Sequence, residues 1–179
     1  MLKLMLMRHA KSAWDNPELT DYFRQLAPRG QEAAPVMARY MVANGHIPDR
    51  ILCSSAQRTR ETLSLMLPLF PHDMEIVITN ALYETSAATY YDYIRAHGRE
   101  ARALMVIGHN PALEELGPAL VGVNNVDHGR VHASAKYPTA ALAVMKFDAP
   151  AWAEISSGAG QGVCFVRPRD LIGHEVDSD

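Results

Sequence analysis

Two histidines each follow an apolar segment of the chain. His9 comes after residues 2–7 and stands beside Arg8, and His109 comes after residues 104–108. A neutral imidazole is a competent nucleophile near neutral pH. An arginine guanidinium grips phosphoryl oxygens with a fixed fork of donors. Residues of these types at the ends of two apolar segments predict a site that handles phosphate.

A second arginine and the start of a helix also follow predicted strands, and so are expected at the same edge of a sheet as the two histidines. Arg58 follows the second predicted strand, and Asn110-Pro111 begins a helix whose amide groups and dipole favour an anion. Ligands of a parallel α/β sheet collect at the carboxyl ends of its strands. Taken singly, each arginine is more simply a solvated charge and each histidine a satisfied strand end. Because the same placement recurs, a phosphate site is the better interpretation.

Strands and helices alternate along the predicted chain. Short apolar runs predict buried strands, and apolar residues spaced by three and four predict helices. Strands are predicted at 2–7, 50–53, 75–78, 103–107, 140–147 and 163–166, and helices at 28–44, 56–67, 86–97 and 111–122. Residues 10–27 are expected to form a long surface loop, and 124–137 an irregular polar excursion. This alternation predicts an α/β/α sandwich of three layers with a mainly parallel central sheet.

Composition predicts a single domain in a reducing compartment. The chain has 179 residues and a formal net charge of −3, so bulk charge favours neither nucleic acid nor an anionic membrane as a partner. We expect one domain over 1–172 and a frayed acidic tail over 173–179. Two distant cysteines, Cys53 and Cys164, favour a cytoplasmic protein without a disulfide framework. The apolar run before Arg8 is too short to span a bilayer.

Three segments, in order, resemble the motifs of one enzyme family. Residues 6–12 (Leu-Met-Arg-His-Ala-Lys-Ser) resemble the opening signature of the histidine phosphatase superfamily, to which the phosphoglycerate mutases also belong. Residues 54–62 resemble its second motif and residues 106–111 its third. The short length and the Arg-His-Ala-Lys-Ser form are most similar to the SixA-type phosphohistidine phosphatases, as are residues 136–141 and 165–168, less diagnostically. The resemblance implies a phosphoglycerate mutase-like fold.

The resemblance also implies a covalent mechanism that needs no metal and no cofactor. His9 would attack phosphorus and become a phosphohistidine, which water would then hydrolyse. Arg8, Arg58 and His109 would bind the phosphoryl oxygens. The implied substrate is a phosphorylated protein that carries phosphohistidine, such as a histidine phosphotransfer domain.

Glu84 is the best-placed candidate for the acidic proton donor that the superfamily carries between its second and third motifs. An equally balanced interpretation makes Glu84 an acid near the helix start at Ser86, where the helix dipole stabilises it. SixA-type members manage without a dedicated acid. Their phosphoramidate substrate explains this, because imidazole leaves more readily than an alkoxide. Ala10 stands where the superfamily usually has glycine, a small change that still permits close packing.

Other residues offer weaker candidate sites. Cys53 precedes Arg58 by one residue too few for the loop of a cysteine phosphatase, and we expect it to be buried in a strand. His128 and His132 could share a helix face, but they lack an acidic or cysteine partner for a metal. The glycine-rich residues 158–162 precede a strand and predict a turn rather than a nucleotide site.

Three residues of the predicted surface loop could take part in the site. Ser12, Trp14 and Asn16 follow the first motif closely. They either line the pocket or pack within the loop, and both interpretations stay open.

Two other functions remain alternatives. A phosphatase for small phosphate esters would use the same chemistry, although the absence of a large capping insertion favours a protein substrate. A non-enzymatic phosphate-binding or regulatory module would keep the same fold. The presence of both histidines and both arginines argues against that module. The sequence does not indicate the oligomeric state.

Overall fold

Six strands form one sheet in the computed structural model, which describes residues 1–121 and 136–172. The order in space is β3-β2-β4-β1-β5-β6, and the first four strands of that order are mutually parallel. β5 runs antiparallel to β1, and β6 runs antiparallel to β5. The strands are β1 (Leu2–Arg8), β2 (Arg50–Ser54), β3 (Glu75–Thr79), β4 (Ala103–Gly108), β5 (Leu142–Phe147) and β6 (Gln161–Val166).

Helices cover both faces of the sheet. They are α1 (Pro28–Ala43), α2 (Gln57–Met66), α3 (Ala87–His97), α4 (Ala112–Val121) and the short α5 (Pro168–Ile172). Successive side chains of a strand point to opposite faces. In β1, Leu4 and Leu6 therefore join the core formed with α3 and α4, whereas Met5 and Met7 join the core formed with α1 and α2. The predicted three-layer α/β/α sandwich with a mainly parallel sheet is confirmed.

The structure adds elements that the sequence patterns did not predict. β6 begins at Gln161, before the predicted start, because pairing with β5 orders two residues of low strand propensity. α5 has five residues, too few to show a helical period. The predicted loop 10–27 contains a β-bridge between Ser12 and Leu26 and a 3-10 turn at Asp21–Phe23.

Several predictions concern residues outside the described ranges. They include most of segment 124–137, with His128 and His132, and the acidic tail at 173–179. The single domain over 1–172 stays a prediction. Among the described helices, none combines the length and the apolar character that crossing a membrane requires.

Gly108 allows the end of β4 to fit closely against α3. A Cβ atom at this position would collide with the Tyr90 side chain. The Tyr90 hydroxyl accepts the His109 backbone N–H at 3.2 Å and donates to the Leu82 carbonyl at 2.6 Å. The glycine thus permits a buried phenol to fix the backbone from which the His109 side chain projects.

Candidate active site

His9 is buried where β1 ends, and its ring is held in one tautomer. Its Nδ1 lies 2.7 Å from the Ala10 carbonyl oxygen, which can only accept, so Nδ1 carries the proton. Nε2 is then unprotonated, and its lone pair accepts a hydrogen bond from the Arg58 Nε at 3.3 Å. Burial lowers the pKa of His9 well below its usual value, and the positive charges of Arg58 and Arg8 act in the same direction. A neutral imidazole with an available Nε2 is the form that can attack phosphorus.

The second histidine, His109, lies beside His9, with 5.3 Å between the ring centroids. Its Nε2 is 2.8 Å from the Ser54 hydroxyl at the end of β2, and its Nδ1 is 3.3 Å from the Arg58 Nη2. Since the guanidinium can only donate, Nδ1 accepts and Nε2 carries the proton. Burial lowers the pKa of His109 to about 3, and the charge of Arg58 acts in the same direction. Both rings are therefore neutral near pH 7.

Arg58 lies in the first turn of α2 and uses two edges of its guanidinium. The Nε and Nη2 groups of one edge face the two histidines. On the other edge, Nη1 donates to the Asp21 carbonyl at 2.6 Å and Nη2 to the Asp21 carboxylate at 3.0 Å. This arrangement aims one pair of donors at the space between the histidines while the opposite edge is held in place.

Arg8 supplies a second guanidinium with an unused donor. Its Nη1 donates to the Tyr137 carbonyl at 2.8 Å. Its Nε is buried and makes no hydrogen bond to any residue within 1–121 or 136–172. Burial lowers the pKa of Arg8, the charge of Glu114 opposes that effect, and Arg58 reinforces it. A buried charged donor without a partner is costly, so an anion here would remove that cost.

One pocket of about 360 Å³ collects the residues predicted for the site. All five predicted residues line it. They are Arg8, His9, Arg58, Glu84 and His109. Arginine side chains outnumber the carboxylates in its wall, which suits a dianion. Within the described ranges, no three of the His, Cys, Asp and Glu side chains lie together as a metal-binding group.

The comparisons with known proteins decide the family. Residues 4–112 match the histidine phosphatase superfamily (branch 1). The chain belongs to the histidine phosphatase superfamily. An uncharacterised protein of Mycobacterium tuberculosis is 33% identical over 167 residues, which cover 91% of this chain and 100% of that protein. An uncharacterised chloroplastic protein of Arabidopsis thaliana is 30% identical over 169 residues, covering 89% of this chain and 73% of that protein.

Solved structures show the same fold. A SixA protein of Agrobacterium tumefaciens, assigned as a phosphohistidine phosphatase, superposes with a TM-score of 0.78 at 28% identity, covering 93% of this chain and 98% of that chain. The protein histidine phosphatase SixA complexed with tungstate shares the fold, with a TM-score of 0.77 at 20% identity and coverages of 95% and 99%. The superfamily membership and the Agrobacterium tumefaciens neighbour support a phosphatase.

Glu84 of this histidine phosphatase lies in the pocket wall on the segment that joins β3 to α3. Its backbone φ is 47°, a left-handed conformation that is uncommon for a residue with a Cβ atom. Ser86 caps α3, since its hydroxyl oxygen accepts the Thr89 N–H at 3.2 Å. The exposed Glu84 side chain also interacts with the Tyr83 hydroxyl. Burial raises the pKa of Tyr83 above its usual value, and its interactions with Asp21 and Glu84 raise it further. This placement is compatible with a proton donor and with a helix-start acid.

Asp21 is a pocket residue that the sequence analysis missed, together with Arg24 and Tyr83, which bind it. Its carboxylate accepts from the Arg24 Nη1 at 2.8 Å, the Tyr83 hydroxyl at 2.9 Å and the Arg58 Nη2 at 3.0 Å. Burial alone would raise the pKa of Asp21, but the hydrogen bonds from Arg24 and Tyr83 and the charge of Arg58 lower it to about 2. The only signal in the sequence was an acidic and a basic residue three positions apart in a polar loop.

The remaining loop residues divide between the pocket and the surface. Ser12 lines the pocket and accepts a hydrogen bond from the Arg24 Nη2. Trp14 also lines the pocket and is 74% exposed. The Arg24 Cζ lies over the Trp14 ring, 3.1 Å from the ring centroid. Asn16 is not part of the lining, and its side-chain oxygen accepts the Glu18 N–H at 3.0 Å within the loop.

Cys53 is buried in β2, as predicted, and does not line the pocket. Burial raises the pKa of its thiol to about 12, although Thr59 and Arg60 act in the opposite direction. A thiol with so high a pKa is a poor nucleophile. This agrees with the prediction that Cys53 is not a catalytic cysteine.

Proposed function

We propose that this histidine phosphatase removes the phosphoryl group from phosphohistidine on a phosphotransfer protein, through a covalent intermediate on His9 and without a metal. The observation that carries the proposal is the state of His9. Its Nδ1–H is held by the Ala10 carbonyl, and its unprotonated Nε2, which accepts from the Arg58 Nε at 3.3 Å, lies in the pocket lined by Arg58 and His109.

In the first step the His9 Nε2 attacks phosphorus, and the bond from phosphorus to the leaving nitrogen breaks. The leaving imidazole carries a proton on its other nitrogen, which the substrate brings with it, so it departs as a neutral molecule. Arg58 donates from Nε and Nη2 and Arg8 from its unpartnered Nε, while neutral His109, whose Nε2 lies 2.8 Å from the Ser54 hydroxyl, borders the phosphoryl group. Such donors stabilise charge on the equatorial oxygens, where most of the catalysis of phosphoryl transfer arises.

In the second step water attacks the phosphohistidine at position 9. The bond between Nε2 and phosphorus breaks, its electrons return to Nε2, and both protons of the water remain on the phosphate product. His9 regains the tautomer with the proton on Nδ1, because the Ala10 carbonyl never ceases to accept from it. No external acid or base is consumed over the cycle.

A protein substrate is favoured by the form of the pocket mouth. Two large apolar side chains of the neighbouring loop, Trp14 and Phe23, are 74% and 51% exposed, and such residues commonly contact a macromolecular partner. A phosphatase for small esters is the second candidate, since Glu84 in the pocket wall offers a proton to a departing alkoxide.

The test compares turnover of a phosphohistidine-bearing phosphotransfer protein with turnover of a panel of sugar phosphates, with and without a chelator. We expect higher kcat/KM on the phosphohistidine and no effect of the chelator. Enzyme quenched during turnover of radiolabelled substrate should keep its label in alkali and lose it in acid. The His9→Ala variant should take no label, whereas His72→Ala, at an exposed histidine far from the pocket, should behave as the wild type.

Preference for a sugar phosphate would favour the second candidate. Label that survives acid, or that persists in His9→Ala, would exclude the covalent step.

A further inference from the structure

A second and larger cavity opens beside the phosphate pocket. Its volume is about 900 Å³, and it lies between the start of α1, the short helix α5 and the segment at Pro138 and Thr139. The two cavities share the side chains of Lys11 and Thr139. A substrate whose phosphoryl group lies beside His9 can therefore extend into the larger cavity, which we call the basic cleft.

Positive charge dominates the basic cleft. Its lining contains four basic side chains and one acidic side chain, Glu32. Lys11, Arg29 and Arg169 are exposed and form no ion pair with any residue in the described ranges. Arg167 differs, because Asp170 holds its guanidinium at 2.8 to 3.2 Å. Three cations without an ion pair in the described ranges thus line a cleft on a chain whose net charge is −3.

Apart from Thr139, the rest of the lining is apolar. The apolar side chains are Ala33, Pro138, Pro168 and Ile172, of which Ile172 is 56% exposed. A mixed cationic and apolar surface suits a polypeptide that carries acidic side chains between apolar ones. A nucleic acid is a poorer match, since it would require a longer basic track and its phosphates would be repelled by the net negative charge. The cleft is also too large for a single small anion to fill.

We propose that the basic cleft docks an acidic segment of the substrate protein next to its phosphorylated residue. The proposal rests on the proposed phosphatase function and adds the chemistry that selects the substrate. Exposed ion pairs act mainly on encounter and affinity and are screened by salt. The cleft should therefore lower KM for acidic substrates with little effect on kcat.

The test uses two synthetic phosphohistidine peptides that differ only in whether Glu and Asp or Gln and Asn flank the phosphohistidine. The variants are Arg29→Glu, Arg169→Glu and the double variant. The matched control is Arg39→Glu, which reverses an exposed arginine of α1 outside the cleft lining. Hydrolysis of p-nitrophenyl phosphate measures whether each variant is folded and active.

The wild type should prefer the acidic peptide by about tenfold in kcat/KM at low salt, and about 0.5 M salt should remove that preference. The double variant should lose the preference through a higher KM. It should hydrolyse the neutral peptide and p-nitrophenyl phosphate at the wild-type rate, and Arg39→Glu should keep the preference. Equal rates on the two peptides in the wild type, or equal losses in Arg39→Glu, would overturn the proposal.

Binding of the unphosphorylated acidic peptide, followed by fluorescence anisotropy, separates docking from catalysis. If neither phosphopeptide is hydrolysed but the acidic one binds the wild type and not the double variant, the proposed activity fails while the docking surface stands. If the acidic peptide binds only after residues 173–179 are removed, the acidic tail occupies the cleft and the docking proposal fails. Tighter binding of a duplex DNA than of the peptide would also refute it.

Discussion

The substitution Asp21→Asn tests how Arg58 is held. The Asp21 carboxylate accepts from Arg24, Tyr83 and Arg58, and two of these donors share the oxygen Oδ2. In asparagine one of the two oxygens becomes an NH₂ group, which cannot accept. At least one donor therefore loses its partner. In either orientation of the amide, Arg58 faces a neutral group instead of a carboxylate, so the edge of its guanidinium that faces away from the histidines is held less firmly.

The magnitude follows from the contacts that remain. A hydrogen bond to a charged group contributes about 1.5–3 kcal/mol. The Asp21 side chain is 41% exposed, so solvent screening places the loss near the lower end of that range. The Asp21 backbone carbonyl also continues to accept from the Arg58 Nη1 at 2.6 Å. We expect a loss of about 1.4 kcal/mol in transition-state stabilisation, which is about tenfold in kcat/KM.

The assay is steady-state hydrolysis of a phosphohistidine peptide and of p-nitrophenyl phosphate, with Asp15→Asn, an exposed acid of the same loop, as the control. Both substrates should be affected alike, because the change acts on the phosphate-binding donors and not on the leaving group. A rise in activity, or tighter binding of inorganic phosphate, would refute the reasoning. It would mean that the carboxylate competes with phosphate for Arg58.

The same substitution has a consequence for stability. The pKa of Asp21 is lowered from 3.8 to about 2 in the folded protein. A carboxylate of this kind stabilises the fold above its unfolded pKa, and the contribution disappears as the pH falls through the folded value. In urea unfolding, the deficit of Asp21→Asn should be constant around neutral pH and should shrink between 3.8 and about 2.

Three further predictions concern the proposed chemistry. Arg8→Lys and Arg58→Lys should each lower kcat by about a hundred- to a thousandfold, because an ammonium cannot replace a guanidinium fork, whereas Arg39→Lys should have no effect. Glu84→Gln should slow an alkyl phosphate ester by about a hundredfold or more but a phosphohistidine substrate only mildly, since imidazole can leave with its own proton; equal losses would reject the leaving-group argument. The pKa of His9 is lowered well below its usual 6.5, so His9 should stay neutral as the pH drops through 6.5. The value of kcat/KM for p-nitrophenyl phosphate, corrected for substrate ionisation, should therefore not fall there. An inflection near pH 6.5 that His9 alone explains would contradict a buried neutral nucleophile.

The sequence carried most of the information about the sheet and about four site residues. Arg8, His9 and His109 stand at the ends of apolar runs, and Arg58 follows another, so local patterns and the rule for parallel sheets were enough to bring them together. Asp21 was different. Its approach to Arg58 depends on how a loop without periodicity folds back over the sheet, and no local pattern encodes such a distant contact.

The basic cleft escaped sequence reasoning for a related reason. Its lining joins Lys11 after β1, Arg29 in α1 and Arg169 in α5. α5 is shorter than two helical turns and gave no periodic signal, so the position of Arg169 could not be predicted. Charges that are scattered along a chain acquire a common role only when tertiary structure places them on one surface.

The position of β4 has a consequence for how the protein is made. β4 lies between β1 and β2 and pairs with both, so the strands that carry His9 and the Ser54–Arg58 segment do not touch each other directly. On a ribosome, these two strands emerge well before the one that must be inserted between them. Until residue 108 has left the exit tunnel, both present open edges that can pair wrongly. A stalled chain that ends before β4 would contain His9, the proposed nucleophile, and Arg58 but would not have the assembled pocket. Its exposed strand edges would be expected to bind chaperones.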